Sequence, residues 1–524
     1  MTVNRKLYTL LPDSAIELDD FDVETAEIVW KSTALPAWIR TESSKTSEVW
    51  SIWAHPRLVW LLLSPALLLF ALVLMTPIVN PSYVHKPPSY TGGNPRLEQV
   101  FIVAAIVDAD LINGAWGHAV LELIEAVGAE NAFLSIYTND SGPDTEAALE
   151  VLSQKVRCQN IILSEHLSLE SFVQPELSKH RDKVRRISYL AEVRNRAMRP
   201  FYTAARKFDK ILFLNDVVFS GQDAADLLFA TGTQDIGSRT TYHAACAIDF
   251  INPFKFYDTF ATRDSNGYGT GLPFFPWFSD QDDGMSRQDV MDESDAVRVK
   301  SCWGGMVAFE ARWFEGSVVH HHDPSSSSVP GANYTTDGGD IAAYSPVKFR
   351  STDEIFWEAS ECCLIHADIE ARARALDGTQ TVMNLAKSDS HIVMNPFVRV
   401  AYSEATFRWL HLTRRFERLY ALPHLWLSSL VGIPFLNDRQ FQQGDQSVEN
   451  LVWSMENHYP LVIPTKESLH SDLLEGCYQR TTQKAQPGGF CGVRQLSVLK
   501  AERKSGERMW KSLSAPALKV LCEA

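Results

Sequence analysis

From residue 99 onward the chain alternates short β-branched runs with amphipathic helical stretches, and this rhythm restricts the fold more than any other feature. Val100–Ile106 is a continuous apolar run, the pattern of a strand covered on both faces, and Trp116, Val120, Leu123, Ile124 and Val127 follow at helical spacing. A second strand is expected over Ala132–Tyr137, ending in Thr138, Asn139 and Asp140. Asp144 then opens a helix with Leu149, Leu152 and Val156 on one side. The rhythm returns at Asn160–Leu163, in a helical stretch around Ile187–Met198, and at Ile211–Leu214. Such alternation predicts an α/β fold with a mainly parallel sheet and right-handed crossovers. Ligands of these sheets bind at the carboxyl ends of strands, so chemistry is sought just after each strand.

The stretch Tyr189–Phe219 meets that criterion best. Ile211–Leu214 reads as a buried strand with Asn215 and Asp216 at its carboxyl end, where a carboxylate can coordinate a divalent cation that bridges a diphosphate. Arg194 and Asn195 lie on the preceding helix, 22 and 21 residues upstream of Asp216, and suit a phosphate and a ribose or base. These four residues are the expected nucleotide-binding set, with Asp216 also a metal ligand. The alternative is that Asp216 ends a strand and Arg194 is a solvated helix charge. Trp303, Gly304 and Gly305 suggest an acceptor platform, because an aromatic face suits the C–H surface of a sugar and glycines admit close backbone approach. A core tryptophan is the competing reading. Glu361 is a candidate to orient an acceptor or stabilise positive charge in a transition state, against a solvated glutamate. Asp249, Arg263 and Asp264 follow apolar stretches and are candidates to line the site, Asp249 in catalysis and the other two against an acceptor, unless they form a simple ion pair.

An Arg-Asn helix ahead of a strand that ends in an acidic motif resembles the nucleotide-sugar site of GT-A glycosyltransferases. Asn215-Asp216-Val217 supplies one carboxylate where the familiar Asp-x-Asp motif has two, so Asp216 carries most of that inference. Further stretches extend the resemblance. ACAIDF (Ala245–Phe250), FYDTFATRDSNGYG (Phe256–Gly269), SCWGGMVAFEARWF (Ser301–Phe314), SECCLIHADI (Ser360–Ile369) and GGFCGVR (Gly488–Arg494) follow in one order. Over roughly residues 99–500 the chain is similar to the fungal α-1,3-mannosyltransferases related to the capsule-associated proteins, glycosyltransferase family 69. The resemblance implies a GT-A-like (Rossmann-like) domain in a Golgi type II membrane enzyme. It further implies GDP-mannose as donor, Mn2+ or another divalent cation as cofactor, a mannose-containing glycan or polysaccharide as acceptor, and transfer with retention. His366 would be a second metal ligand, as late histidines in GT-A domains are, against a merely hydrogen-bonded histidine. In a retaining enzyme a leaving-phosphate oxygen can take the acceptor proton, so a dedicated base is dispensable. Two departures stand out: the strand ending at Thr138, Asn139 and Asp140 lacks the Glu expected after Ile136 and Tyr137, and the Ser-rich loop at 324–328 resembles an insertion.

Residues 59–79 (VWLLLSPALLLFALVLMTPIV) are almost unbroken apolar sequence, and 21 residues at about 1.5 Å each reach roughly 30 Å, a bilayer core. A cleaved signal peptide would be shorter and nearer the start; a long core helix is the other alternative. A single transmembrane signal anchor over 58–79 is therefore expected, behind a disordered cytosolic tail at 1–57. Arg40, Lys45 and Arg57 against Lys86 and Arg96 orient that tail to the cytosol. A Pro/Gly/Ser-rich stem at 80–98, a catalytic domain at 99–440 and a packed C-terminal extension at 441–524 complete the expected plan. The uncharged stretch Leu419–Asn437 is short for a span and reads as buried or membrane-apposed. The sequons at Asn139 and Asn333 and the eight cysteines, all at or beyond residue 158, suit a lumenal domain. Cys477 and Cys491 are a candidate disulfide, whereas adjacent Cys362 and Cys363 cannot easily bridge each other. His320, His321 and His322 border a Ser/Gly-rich loop that would hold a metal poorly. A formal charge of −15 repels phosphate backbones and argues against a nucleic-acid partner. Besides transfer, two further readings remain: a catalytically silent glycan-binding or assembly protein, and a glycoside hydrolase, for which nothing fixes the required carboxylate separation.

Overall fold

The computed structural model describes residues 56–172, 184–320, 341–376, 391–431, 437–454, 476–500, 510–518 and 521–522. Strands β1 (Val100–Ala105), β2 (Ala132–Asn139), β3 (Gln159–Glu165) and β4 (Lys210–Leu214) appear where the apolar runs place them. They are followed by β5 (Ala244–Phe250), β6 (Arg263–Asp264), β7 (Val297–Ser301), β8 (Met306–Glu310), β9 (Ser317–His320), β10 (Ile341–Tyr344), β11 (Glu358–Ala359) and β12 (Ile392–Ala401). Nine of these form one sheet in the order β3-β2-β1-β4-β8-β5-β12-β7-β6. The block β3-β2-β1-β4 is parallel, β8 runs against both β4 and β5, and β12 is parallel to β5 but antiparallel to β7. The sheet is therefore mixed but mostly parallel: β7 and β8 point one way and the remaining strands the other.

The two-residue period of a strand divides the core between the sheet's faces. Val100, Ile102 and Ala104 join Leu212, Leu214 and the helix Ala115–Val127 on one face. Phe101, Val103 and Phe213 join Tyr189 and Ala197 of the helix Arg186–Ala197 on the other. Both faces are covered, which is why these strands read as continuous apolar runs.

The C-terminal extension adds β13 (Ser447–Ser454), β14 (Cys477–Lys484), β15 (Gly492–Val493), β16 (Gln495–Leu499) and β17 (Trp510–Ser514). A small core of Phe356, Trp453, Tyr478, Leu496 and Leu513 lies among them. β15 pairs with β11, and the Cys363–Cys491 disulfide ties the extension to the helix Glu361–Leu376. The pairing expected between Cys477 and Cys491 is not formed, because Cys477 bonds Cys522 across neighbouring backbone. A third disulfide joins Cys246 to Cys302, while Cys158 and Cys362 are buried thiols.

Residues 80–98, expected as a stem, lie against the domain. Ser82 and Tyr83 are fully buried, and the Tyr83 hydroxyl donates to the Val290 and Ser294 carbonyls. Lys86 pairs with Asp223 and Asp226. Pro56–Val79 forms a 24-residue helix whose side chains are described at Ser64 and from Leu67 to Val79. Among the described residues no helix is long and apolar enough to cross a membrane. The tail at 1–55, His321, His322, Asn333 and the loop at 321–340 lie outside the described residues.

Candidate functional site

The parallel strands β1, β4, β5 and β12 end at one edge of the sheet, and reversed β8 begins there. The turn before β8 therefore delivers Trp303, Gly304 and Gly305 to the edge where β4 releases Asn215 and Asp216, β5 presents Asp249, and β12 runs into Tyr402. Gly304 and Gly305 have φ of +56° and +67°, and a Cβ on Gly304 would stand 1.9 Å from the Ala247 carbonyl oxygen. Glycine is thus required for the turn to press onto β5, and neither glycine is among the residues that line the pocket at this edge. A pocket opens at this edge, lined by Arg186, Leu190, Arg194, Asn215, Asp249, Tyr257, Asp258, Trp303, Glu361, Cys362 and Tyr402 among others.

The helix Arg186–Ala197 faces the pocket with Arg186, Leu190 and Arg194, spaced four residues apart and hence stacked on one side. Arg194 is 8% exposed, and its Nε donates to Glu361 Oε1 at 3.0 Å. Its Nη1 donates to Asn215 Oδ1 at 3.4 Å, and its guanidinium lies 4.3 Å from the centroid of the Trp303 ring. The Trp303 indole N–H also donates to Asn215 Oδ1, at 3.1 Å. Trp303 is 3% exposed and carries a guanidinium on its ring, so it is a core residue bordering the pocket rather than an open sugar platform. Glu361 opens the helix Glu361–Leu376, where a carboxylate is favoured by the unpaired N–H groups of the first turn. It is buried, not the solvated residue of the alternative reading.

Opposite Arg194 stands a carboxylate pair. Asp249 is fully buried at the end of β5, accepting from the Tyr402 hydroxyl at 2.9 Å and from the Asp258 backbone N–H at 3.0 Å. Asp258 accepts from the backbone N–H of Ala261 and, at 3.2 Å, of Gly304. Burial, then the neighbouring Asp258 charge, pushes Asp249 up to about 7, and burial raises Asp258 as well. Burial, then Asp249, holds the Tyr402 phenol well above its ordinary value, so it stays the donor. Asp216 is half-buried just beyond Asn215, close enough for its charge to act on both Arg194 and Tyr402.

The remaining candidates lie elsewhere. Asn195 spends its amide on Phe349, donating to its carbonyl at 2.8 Å and accepting from its N–H at 3.0 Å, so it clamps a passing loop segment. Arg263 donates to the carbonyls of Phe260, Thr262, Phe490 and Cys491 and braces the C-terminal extension. Asp264 caps the following turn through the N–H groups of Asn266 and Tyr268. Neither lines the pocket. His366 is fully buried, donates from Nε2 to the Cys302 carbonyl at 2.6 Å and stacks on Phe309. Burial lowers its pKa to about 4. Its ligand-like neighbours Cys246 and Cys302 are joined in a disulfide, and Asp216 is not part of that cluster. Asn139 is buried with its amide donating to the Tyr189 hydroxyl, which withdraws that sequon from glycosylation.

Arg186, Asp258 and Tyr402 line the pocket although no sequence motif singles them out. Arg186 carried a signal, lying two helical turns before Arg194. Asp258 sits in the stretch Phe256–Gly269, five and six residues before Arg263 and Asp264. Tyr402 directly follows a strand that carried no recognised motif.

Residues 99–368 match the family described as Cryptococcal mannosyltransferase 1. The chain belongs to that family. Its chemistry is hexosyl transfer, and the matched segment contains every pocket residue named above except Tyr402. No curated protein matches the chain. Similar solved structures include the mannosyltransferase PcManGT from Pyrobaculum calidifontis in complex with GDP-Man and Mn2+. It is 10% identical, with 71% of this chain and 87% of that chain covered and a TM-score of 0.29. Another is glucosyl-3-phosphoglycerate synthase from Mycobacterium tuberculosis in complex with Mn2+, UDP and phosphoglyceric acid. It too is 10% identical, covering 78% and 98% of the two chains with a TM-score of 0.28. At that similarity neither structure constrains the site.

Proposed function

We propose that this family member transfers mannose from GDP-mannose to a mannose-containing glycan or polysaccharide in the pocket at the carboxyl edge of the sheet, retaining configuration. The observation that carries this reading is the convergence of two arginines from one helix face with Asp249, Asp258 and Glu361 on one cleft, with Asp216 close enough for its charge to act on Arg194. Arg194 and Arg186 offer N–H donors to the diphosphate, and Glu361 acts as a positioning residue that holds Arg194 against Trp303. Asp249, pushed up to about 7 by burial, can receive or hold a proton near neutral pH, and burial raises Asp258 beside it, which suits the pair to an acceptor hydroxyl.

A divalent cation fits the donor set in part. Asp216 is a half-buried oxygen ligand beside the pocket, and cations of this class need only one or two carboxylates when substrate phosphates and water complete the shell. Among the described residues the single cluster of three close metal-binding side chains is the one at His366, and its two cysteines are oxidised. Asp216 is therefore the residue that would hold the ion, which when bound would neutralise the diphosphate leaving group.

The same proposal places the catalytic domain in the Golgi lumen behind a single N-terminal anchor. The apolar run 59–79 and the exposed side chains from Leu67 to Met75 and at Ile78 and Val79 support the anchor, and three disulfides suit an oxidising compartment. The test is a thermal-shift panel of GDP-, UDP- and CMP-sugars, with and without Mn2+, on the detergent-solubilised full chain. Mass action predicts stabilisation by GDP-mannose that grows with Mn2+. A shift produced only by another nucleotide sugar overturns the donor.

A further inference from the structure

The helix Ala421–Val431 is built inside out. Its polar residues face the protein: His424 and Ser428 are 2% and 4% exposed. His424 donates from Nε2 to the Leu272 carbonyl and accepts at Nδ1 from Arg287, with the Ser428 hydroxyl 3.3 Å from the same nitrogen. Its apolar residues face outward: Leu422, Trp426 and Leu430, four residues apart and so on one stripe, are 79%, 72% and 72% exposed. Leu425 and Leu427 flank the stripe, and Trp409 and Leu412 on the preceding helix Glu404–Thr413 are exposed as well. The stretch read from sequence as buried or membrane-apposed is thus not buried. Contiguous apolar surface of this kind marks an apolar partner.

The N-terminal helix identifies that partner. The segment Arg414–Tyr420, which leads directly into Ala421–Val431, packs against the helix Pro56–Val79. Arg415 donates to the Pro77 carbonyl and Arg414 to that of Tyr83. Ile78 and Val79, at the end of the N-terminal helix, are themselves 74% and 70% exposed. Two outward apolar surfaces therefore meet at one short segment, and the first belongs to the helix proposed as the anchor.

We infer that Ala421–Val431, with Trp409 and Leu412, is a second membrane contact that lies in the plane of the bilayer interface beside the point where the anchor emerges. This rests on the anchor reading above. The stripe would sit at the headgroup–acyl boundary, where tryptophan is favoured, and an 11-residue helix covers about 16 Å of it. Exposed Arg408 and His411 stand beside Trp409 and Leu412 and suit anionic headgroups. The contact also fixes the pocket near the lipid, because only the ten-residue helix Glu404–Thr413, about 15 Å long, separates pocket residue Tyr402 from this surface.

The test uses the full chain in phosphatidylcholine/phosphatidylserine vesicles, with a nitroxide at Trp426→Cys or Leu430→Cys and, as reference, at exposed Val151→Cys on the far helix Pro143–Lys155. The two thiols outside disulfides, Cys158 and Cys362, are buried and escape labelling. Collisions with oxygen relative to a soluble nickel chelate are expected to be several-fold higher at positions 426 and 430 than at 151. A chain that co-floats with vesicles but shows the same ratio at all three positions overturns the second contact and leaves the anchor standing. Low collision with both reagents at 426 and 430 also overturns it, in favour of a protein partner or a second copy. Failure to co-float overturns anchor and contact together.

Discussion

Replacing Arg194 with methionine keeps most of the side-chain volume but leaves the Glu361 carboxylate without its guanidinium. Glu361 is 2% exposed, and its remaining close polar neighbour is the Cys362 thiol at 3.6 Å, a weak donor. Removing one member of a buried ion pair costs about 3–5 kcal/mol, because the charge left behind is neither solvated nor paired. At roughly 1–2 °C per kcal/mol for a domain of some 340 residues, the melting temperature falls by on the order of 5 °C. The double substitution Arg194→Met with Glu361→Gln removes both charges and recovers most of that loss. Activity behaves differently. Both variants lose mannosyl transfer, because neither presents a guanidinium to the donor. Differential scanning fluorimetry of the solubilised chain at one scan rate, beside a transfer assay, separates the two effects. A single variant that melts within about 2 °C of the parent, or a double variant less stable than the single, refutes the assignment of Glu361 as the group that positions Arg194.

Asp216→Asn removes a half-buried charge and is expected to leave the melting temperature nearly unchanged while abolishing Mn2+-dependent stabilisation by GDP-mannose in the same fluorimetry. The Asp249 carboxyl titrates from an ordinary value of 3.8 up to about 7, driven by burial and then by Asp258. Between those limits the folded chain holds a proton that the unfolded chain has released, so this group's contribution is full below pH 4 and is lost as pH rises towards 7. Asp249→Asn should flatten that slope in melting curves taken from pH 4 to 8; an unchanged slope counts against the buried pair. Gly304→Ala combines left-handed strain of about 1–2 kcal/mol with overpacking against Ala247 of about 1–3 kcal/mol. Its loss of stability by urea denaturation should exceed that of Gly237→Ala, whose φ of +81° carries strain but whose Cβ would meet nothing within 4 Å.

The parallel half of the sheet was legible because its strands are covered on both faces and its crossovers are local. The runs at 100, 132, 160 and 211 became β1 to β4 within a residue or two, and the helix around 187–198 became Arg186–Ala197. The reversed strands were not legible. β8 inserts between β4 and β5 although it follows both in sequence, a long-range pairing that no local period encodes. The same limit explains the site. Arg194, Asn215 and Asp216 come from adjoining elements and were found together, and Asp249 and Glu361 were reached through their motifs. Tyr402 and Asp258 enter only through β12 and a loop folded back on β5. His366, Asn195, Arg263 and Asp264 were polar residues in suggestive places whose partners are buried backbone groups, as most buried polar groups' partners are. The segment 80–98 read as a stem from its Pro, Gly and Ser content, but Tyr83 and Lys86 find partners that composition does not reveal.

The charges around the pocket bear on why the proposed reaction would draw on a cation. Arg194 is the group best placed for a diphosphate, yet its Nε is committed to Glu361 and its ring stack to Trp303, so much of its charge is already balanced. Burial pushes Asp249 up to about 7 and raises Asp258 as well, so the pair contributes less negative charge than two free carboxylates would. Asp216 adds a negative charge that acts on Arg194 as well. A diphosphate carrying two or more negative charges thus enters a cleft with little net positive field of its own, and desolvation there is costly unless charge arrives with it. Asp216 would hold a divalent ion that would supply that charge, whereas turning Glu361 into glutamine would free Arg194 to supply part of it. Glu361→Gln should therefore weaken the dependence of donor binding on Mn2+ rather than simply weaken binding, the reverse of what a direct catalytic role for Glu361 requires.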